Sequence, residues 1–99
     1  MESALIQSFS CKDTEGFYNS GKLPKRAGWQ AVKSVAARKL DMIDAATVIT
    51  DLKVPPNNRL EALKGDLKGY YSIRINDQWR VVFRWSNNSA YEVRICDYH

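Results

Sequence analysis

Histidine and cysteine are scarce in this sequence. Its single histidine is His99, and its two cysteines, Cys11 and Cys96, lie far apart and outside any CxxC pattern. A metal site needs several histidine, cysteine or carboxylate ligands at suitable spacing, and a small disulfide-stabilised scaffold needs more cysteines. We therefore expect no bound metal, and two reduced thiols rather than a disulfide.

The glycine-rich motifs of nucleotide-binding proteins are absent as well. The sequence contains neither GxGxxG nor GxxxxGK[ST], and it has no GxSxG elbow around a serine. The first two motifs hold phosphates on backbone amides, and the third presents the nucleophile of a hydrolase triad. We expect no cofactor and no serine-hydrolase chemistry.

No stretch approaches the roughly 18–20 apolar residues that a membrane-spanning helix requires. The first residues, MESALIQSF, carry an acid and a glutamine where a signal peptide has a basic start and a long apolar core. We therefore expect no membrane contact and a cytoplasmic protein.

The size and charge of the chain are those of one small basic domain. Its 99 residues, 44% of them hydrophobic, fit a single domain over residues 1–99. Lysine and arginine number 15 against 11 acidic residues, which gives a formal net charge of +4. This balance favours nucleic acid or another polyanion as partner, although many basic domains bind none.

The segment from Tyr70 to Trp85, YYSIRINDQWRVVFRW, predicts two strands joined by a polar turn. Successive side chains of a strand point to opposite faces. One face collects mainly apolar side chains: Tyr71, Ile73, Ile75, Trp79, Val81, Phe83 and Trp85. The other face, called the arginine face below, collects Tyr70, Ser72, Arg74, Arg80, Val82 and Arg84. We expect the apolar face to build the core and the arginine face to stay open for an anionic partner.

Two helices are predicted before these strands. Asp13 or Thr14 can cap a short helix over residues 15–19 that Gly21 ends, and Pro24 fits the first turn of a longer helix. An apolar stripe at three- and four-residue steps runs along the longer helix: Trp29, Val32, Ala36, Leu40 and Ile43. Its cations are expected to lie on a solvated face or, alternatively, to extend a basic surface: Lys25, Arg26, Lys33, Arg38 and Lys39.

The remaining elements complete the predicted order. Residues 5–9 indicate a first strand, and Tyr91, Val93 and Ile95 alternate with polar residues as a last strand. The order β-α-α-β-β-β implies an α+β domain, with an antiparallel-rich sheet and two N-terminal helices packed on one face.

The polar residue types suit metal-free cleavage of RNA. Attack of a ribose 2′-hydroxyl on the neighbouring phosphate needs a base, an acid for the leaving 5′ oxygen, and fixed positive charge. Arginine can grip two phosphate oxygens, and an aromatic ring can stack on a base of single-stranded RNA. These residue types are compatible with RNA cleavage, but they are not specific to it.

Three motifs in order resemble the HigB-type toxins of the RelE superfamily. They are LKGD at residues 63–66, SIRxNxQWR at residues 72–80 and DYH at residues 97–99. Residues 6–9 and the helical segment over residues 36–46 are similar too, so the resemblance covers nearly the whole chain. Any one motif alone is weak, whereas the three in order are specific.

The resemblance implies a RelE-like fold and a toxin of a type II toxin–antitoxin system. Such a toxin is a ribosome-dependent endonuclease that cuts translated mRNA in the A site, with contacts to 16S rRNA expected. A cognate helix-turn-helix antitoxin of the HigA kind would hold it inactive.

The resemblance also implies catalytic residues. Carried over by position, Lys64 and Arg80 would contact the scissile phosphate and offset its developing charge. Asp97, Tyr98 and His99 would form the tail of the site, with Tyr98 stacking on RNA or assisting proton transfer.

Arg74 and Glu61 are further candidates for substrate binding. Arg74 shares the arginine face with Arg80. Glu61 stands three residues before the lysine, where many relatives carry a histidine. A glutamate with an ordinary pKa of about 4.3 is a weaker base than imidazole. His99 and Asp97 therefore rank above Glu61 as the general base.

Two other interpretations stay open at this point. A toxin of the same fold can poison a protein target, as ParE-type gyrase inhibitors do, and a non-catalytic RNA-binding module is the second alternative. The missing histidine favours the binding module. The cluster of Lys64, Arg80 and the DYH tail argues against a protein target, because such an inhibitor needs no phosphate-gripping site.

Overall fold

The computed structural model describes residues 5–97, which form an α+β fold. Helix α1 spans Lys12–Ser20 and helix α2 spans Lys33–Ala45. The strands are β1 (Glu61–Ala62), β2 (Tyr70–Arg74), β3 (Trp79–Ser86) and β4 (Ser89–Asp97). They make one antiparallel sheet in the order β1-β2-β3-β4. The predicted fold class is confirmed.

The core lies between one face of the sheet and the two helices. Ile73, Val81 and Phe83 of the predicted apolar face are fully buried, and so are Leu40 and Ile43 of the helical stripe. Each such side chain contributes about 1.5–3 kcal/mol through removal from water. The alternation in β2 and β3 and the stripe of α2 are thus confirmed as the core-forming patterns.

Helix α2 begins later than predicted. Pro24 precedes a short 3₁₀ turn at Lys25–Ala27, and the regular helix starts only at Lys33. The interruption is at Gly28, whose φ of +80° is a left-handed conformation that favours glycine. A Cβ there would lie 3.1 Å from the Trp79 ring, a tight contact that adds to the backbone preference for glycine.

Helix α1 begins earlier than predicted and without a side-chain cap. Its N-cap is Cys11, so neither Asp13 nor Thr14 caps it. Thr14 is instead fully buried, and its hydroxyl accepts a hydrogen bond from the backbone N–H of Ile95 at 3.1 Å. The predicted end is confirmed, since Gly21 adopts φ +77° and its N–H donates to the Phe17 carbonyl.

The predicted first strand is not a regular strand in the described residues. Ile6 and Phe9 form isolated parallel bridges with Ala90 and Val93 of β4. Between these two bridges β4 has a bulge, where Glu92 adopts φ +54° and the register with β3 shifts.

The same bulge overturns one assignment in the last strand. Arg84 pairs in register with Tyr91, so Tyr91 leaves the face of Val93 and Ile95. Ala90 takes its place in the core.

Lys39 is buried rather than solvated. Its exposed fraction is 7%, and its Nζ donates to Oδ1 of Asn58 at 2.6 Å. Burial, and then the charges of Arg38 and Arg74, lower the pKa of Lys39. Lys39 lies three residues after Ala36 and four before Ile43, which places it at the border of the buried stripe.

Within residues 5–97, the helices are too short and too polar for any of them to cross a membrane.

Candidate active site

Arg80 of β3 is the buried centre of the arginine face. Its exposed fraction is 5%. Its Nε donates to Ser72 Oγ at 2.8 Å, and its Nη2 donates to the carbonyl oxygens of Arg59 at 2.7 Å and Ser72 at 3.3 Å. Buried charges need such hydrogen bonds, because desolvation otherwise penalises the charged form. The three bonds fix the orientation of the guanidinium plane.

The Arg59 carbonyl reaches Arg80 because of an unusual backbone conformation. Arg59 adopts φ +47° at the end of the 3₁₀ turn Pro56–Asn58, and non-glycine residues visit this region rarely. The preceding residue, Asn58, is fully buried and donates through Nδ2 to the Leu52 carbonyl at 3.1 Å. A buried side chain thus holds the loop that aims a carbonyl at Arg80.

The arginine face is closed at its centre, contrary to the expectation that it stays open. Ser72 and Val82, which pair with each other across β2 and β3, are 1% and 5% exposed, and Arg80 is 5% exposed. Residues 59–67 cover this part of the face and are called the covering segment below. The Arg59 carbonyl contacts Arg80, and Leu63 and Leu67 line the space above the sheet. The sheet therefore presents a small cavity here rather than a flat basic surface.

This cavity, called the Arg80 cavity below, has a volume of about 210 Å³. Its lining residues are Leu63, Leu67, Ser72, Val82, Cys96 and Asp97. Cys96 is the register partner of Arg80 in β4. Desolvation raises the pKa of the Cys96 thiol, with opposing effects from Arg94 and Arg80 and a further rise from Asp97. A neutral thiol is a poor nucleophile, so Cys96 acts here as a wall residue.

Asp97 stands at the mouth of the Arg80 cavity. It is the exposed last residue of β4, opposite Trp79, and its Oδ2 accepts a hydrogen bond from Gln78 Nε2 at 2.9 Å. Asp97 therefore lies at the Arg80 cavity, and Arg80 is buried next to this cavity. Tyr98 and His99 lie outside the described residues.

Arg74 lies directly opposite Arg80 in the pairing of β2 and β3. It forms an ion pair with Asp77 in the turn between these strands. The predicted neighbourhood of the two arginines is confirmed, and Arg74 is the more accessible of the two, with 28% of its side chain exposed.

Lys64 and Glu61 lie on the covering segment. Both are exposed; Glu61 pairs in register with Ser72, and Lys64 directly precedes the 3₁₀ turn Gly65–Leu67. Lys64 lines a separate groove with Tyr70 and Tyr71 instead of the Arg80 cavity. The structure thus places Lys64 next to the cavity but not in its wall.

The far end of the arginine face is a structural cluster. Arg84 Nε donates to Glu92 Oε2 at 3.1 Å, and the Tyr70 hydroxyl donates to Glu92 Oε1 at 2.7 Å. The bond from Tyr70, followed by the one from Arg84, lowers the pKa of Glu92. The guanidinium of Arg84 also lies 4.6 Å from the centroid of the Tyr91 ring.

Sequence reasoning missed the residues that orient Arg80. Strand alternation places Ser72 on the face of Arg80, which is a usable signal. The roles of Asn58 and the Arg59 carbonyl depend on tertiary placement, for which the sequence offers only a turn signal at Pro55 and Pro56. Within residues 5–97, the side chains form no group of three or more histidine, cysteine or carboxylate residues that could hold a metal ion.

Comparison with known proteins defines the class to which this fold belongs. The family model described as the RelE-like toxin of type II toxin–antitoxin system HigB matches residues 7–99. A YoeB–YefM toxin–antitoxin heterotetramer from Staphylococcus aureus contains a chain of similar fold, with a TM-score of 0.54 and 21% identity, covering 97% of this chain and 99% of that one. The molecule has the architecture of RelE-like toxins.

Two curated relatives agree with the family match. Toxin HigB-1 of Vibrio cholerae serotype O1 is 40% identical over 86 residues, 87% of this chain and 90% of that protein. Endoribonuclease HigB of Proteus vulgaris is 41% identical over 95 residues, 96% of this chain and 100% of that protein. The chain belongs to the HigB-like family of toxins of type II toxin–antitoxin systems.

Proposed function

We propose that this chain is a ribosome-dependent endoribonuclease that cleaves translated mRNA in the A site. It acts in the cytoplasm and needs no metal, because the ribose 2′-hydroxyl attacks the neighbouring phosphate. The family membership and the endoribonuclease name of the Proteus vulgaris relative support ribonuclease activity. The observation that carries the proposal is the buried, oriented guanidinium of Arg80 beside a cavity that ends at Asp97.

Arg80 is the electrostatic centre of this proposal. Its bonds to the Ser72 hydroxyl and to two carbonyl oxygens orient the guanidinium. A cation oriented before the reaction stabilises the charge that develops on the phosphate, and burial strengthens the effect. Arg74, its neighbour across the strands and the ion-pair partner of Asp77, is the more accessible of the two.

Proton transfer is assigned to the end of the chain. Asp97 lies at the cavity mouth, and Tyr98 and His99 follow it directly. An imidazole titrates close to neutral pH and can exchange protons with both the 2′ and the 5′ oxygen. Glu61 is the weaker candidate base, and Lys64 offers a point charge to a phosphate next to the cavity.

The decisive experiment maps cleavage on translated mRNA for the wild type and two variants. Arg80→Lys keeps a positive charge but loses the planar fork, and removal of Tyr98 and His99 takes away the tail. Loss of one preorganised donor lowers the rate by a factor on the order of 100 to 1,000, so we expect at least this loss for each variant. Arg38→Lys, on the exposed side of α2, is the control for the arginine change. Circular dichroism establishes that each variant is folded. Full activity of both variants would reject the proposed site.

The cleavage products test the chemistry separately. Attack by the 2′-hydroxyl leaves a 2′,3′-cyclic phosphate and a 5′-hydroxyl. Metal independence predicts cleavage of a competent RNA mimic in the presence of EDTA. Products with 5′-phosphate ends would contradict the 2′-hydroxyl mechanism.

The proposal includes a helix-turn-helix antitoxin of the HigA kind as the inhibitory partner. The family is one of toxin–antitoxin systems, and the S. aureus protein of similar fold is described as a toxin–antitoxin complex. Co-expression with this antitoxin should restore growth, and the two chains should purify together. Restoration without a complex would contradict direct inhibition.

A further inference from the structure

A second cavity adjoins the Arg80 cavity. It has a volume of about 530 Å³, and its wall includes Lys64, Lys68, Tyr70 and Tyr71. We call it the tyrosine groove. Leu63 lines both cavities, so the two are neighbours across the segment that covers the arginine face. The volume falls within the range of about 300–1,000 Å³ that is typical of sites for small organic ligands.

The groove has the charge of an anion-binding site. Lys64 and Lys68 are both exposed, and among residues 5–97 no acidic residue lines the groove. The two lysines flank the 3₁₀ turn Gly65–Leu67, so one short segment brings both of them to the groove wall. Flexible ammonium groups bind a phosphate as point charges and tolerate variation in its position.

Two glycines keep one wall of the groove bare. Gly65 and Gly69 have φ values of +66° and +95°, and a Cβ at either position would meet nothing within 4 Å. These backbone conformations favour glycine. Open space at both positions lets a ligand approach the main chain closely.

The tyrosine rings of the groove are held in place. Tyr71 stacks on Phe83 with ring centroids 6.3 Å apart and an interplanar angle of 26°. Tyr70 donates its hydroxyl to Glu92 at 2.7 Å. Both residues are only partly buried. A ring that is already ordered loses little entropy when a planar base stacks on it.

We propose that the tyrosine groove is a nucleotide subsite for single-stranded RNA. A strand that crosses the covering segment would place its scissile phosphate in the Arg80 cavity and an adjacent nucleotide in the groove. Lys64 and Lys68 would bind the phosphate of that nucleotide, and the partly exposed ring of Tyr71 would stack on its base. Stacking on aromatic rings tolerates every base, so the subsite adds affinity with little sequence preference. This assignment rests on the proposed function.

The test measures binding and cleavage as separate quantities. The probe for binding is a fluorescein-labelled, fully 2′-O-methylated hexaribonucleotide, which lacks the attacking hydroxyl. The variants are Lys68→Ala and Tyr71→Leu, and the matched control is Lys53→Ala, an exposed lysine on the turn Ile49–Lys53. Thermal unfolding establishes that each variant is folded.

We expect Lys68→Ala to weaken binding of the probe about 5-fold and to lower the salt slope of log Kd by about 0.7, which corresponds to one lost phosphate contact. Tyr71→Leu should weaken binding on the order of 5-fold without changing the salt slope. Lys53→Ala should bind like the wild type. Equal weakening by Lys68→Ala and Lys53→Ala would overturn the subsite, because it would reveal only nonspecific attraction.

Cleavage of translated mRNA distinguishes the two proposals. For Lys68→Ala we expect the loss in kcat/KM to come mainly from a higher KM, as for a contact made equally in the ground and transition states. A wild type that cleaves no mRNA but binds the probe in a manner dependent on Lys68 supports the groove and overturns the endoribonuclease assignment. Cleavage together with probe binding that ignores Lys68 and Tyr71 overturns the groove alone.

Discussion

Two kinds of basic side chain in this molecule have opposite surroundings. Lys39 and Arg80 are 7% and 5% exposed, and both donate to neutral oxygens of the protein at distances of 2.6–2.8 Å. Lys64 and Lys68 are exposed on a turn beside a groove. The buried cations have a fixed geometry and depend on their neighbours to offset desolvation. The exposed lysines stay hydrated and can adjust their side-chain conformation to a ligand, but salt screens their electrostatic attraction.

One loop connects the two buried cations. Asn58 accepts the hydrogen bond from Lys39, and the next residue, Arg59, offers its carbonyl to Arg80. The Asn58 amide also donates to the carbonyls of Leu52 and Val54. The fully buried side chain of Asn58 therefore holds the loop whose next residue, Arg59, orients Arg80.

The largest effect is therefore expected for Asn58→Ala. The substitution leaves the buried ammonium of Lys39 without this acceptor and the Leu52 carbonyl without this donor. Loss of such buried partners lowers the free energy of unfolding by about 3 kcal/mol. Urea unfolding followed by tryptophan fluorescence measures it. Asn57→Ala, at the exposed neighbouring position, is the control and should change stability by less than about 0.5 kcal/mol. Equal losses in both variants would contradict the role of Asn58.

A smaller loss is expected for Ser72→Ala. The hydroxyl of Ser72 accepts from Arg80 Nε at 2.8 Å, and the residue is 1% exposed. Its removal leaves one guanidinium donor without this acceptor, and we expect a loss of about 1–2 kcal/mol in urea unfolding. Cleavage of translated mRNA should fall as well, because the guanidinium plane loses one of its anchors. Ser34→Ala, on the exposed surface of α2, should show neither loss.

The pH dependence of stability distinguishes the buried Lys39 from an exposed lysine. The pKa of Lys39 in the folded protein lies below its ordinary value of 10.5, chiefly because of burial. In the pH range below 10.5 the unfolded chain therefore binds more protons than the folded one, and Lys39 makes stability rise with pH. The unfolding free energy of the wild type should rise relative to that of Lys39→Met as the pH increases from 8 to 10. Lys25→Met is the control for the loss of a surface lysine. A constant difference between wild type and Lys39→Met would show that burial leaves this ammonium unaffected.

Much of this arrangement follows from short-range patterns in the sequence. The alternation through Ile73, Val81 and Phe83 predicted the core face of the hairpin, since a strand repeats every two residues. The prediction fails at Tyr91, where the bulge at Glu92 inserts one residue and turns the side chain to the other face. A bulge depends on the neighbouring chain, so the pattern of β4 alone could not reveal it.

The candidate site, too, has features that the sequence predicts and features that depend on tertiary packing. Strand parity placed Arg74, Ser72 and Arg80 on one face, and the structure keeps them there. Closure of that face depends on Arg59, whose left-handed backbone and carbonyl contact are set by tertiary packing. The burial of Lys39 is an intermediate case. Its position at the edge of the apolar stripe favours burial, whereas its charge favours exposure, and the sequence alone does not decide between them.

The smallest effect is expected for Arg26→Ala, which tests the exposed side of the comparison. Arg26 forms an ion pair with Asp13 at 3.1 Å, but 76% of its side chain is exposed. Hydration already satisfies such a guanidinium, and ordering two side chains offsets most of the attraction. We expect a loss of about 0.3 kcal/mol in urea unfolding at low salt and a smaller loss in 0.5 M NaCl, where screening is stronger. A loss of unfolding free energy as large as that of Ser72→Ala would contradict the idea that exposed cations contribute less to stability than buried ones. A small loss that salt removes would mean that position, rather than charge, decides which basic residues of this toxin stabilise the fold.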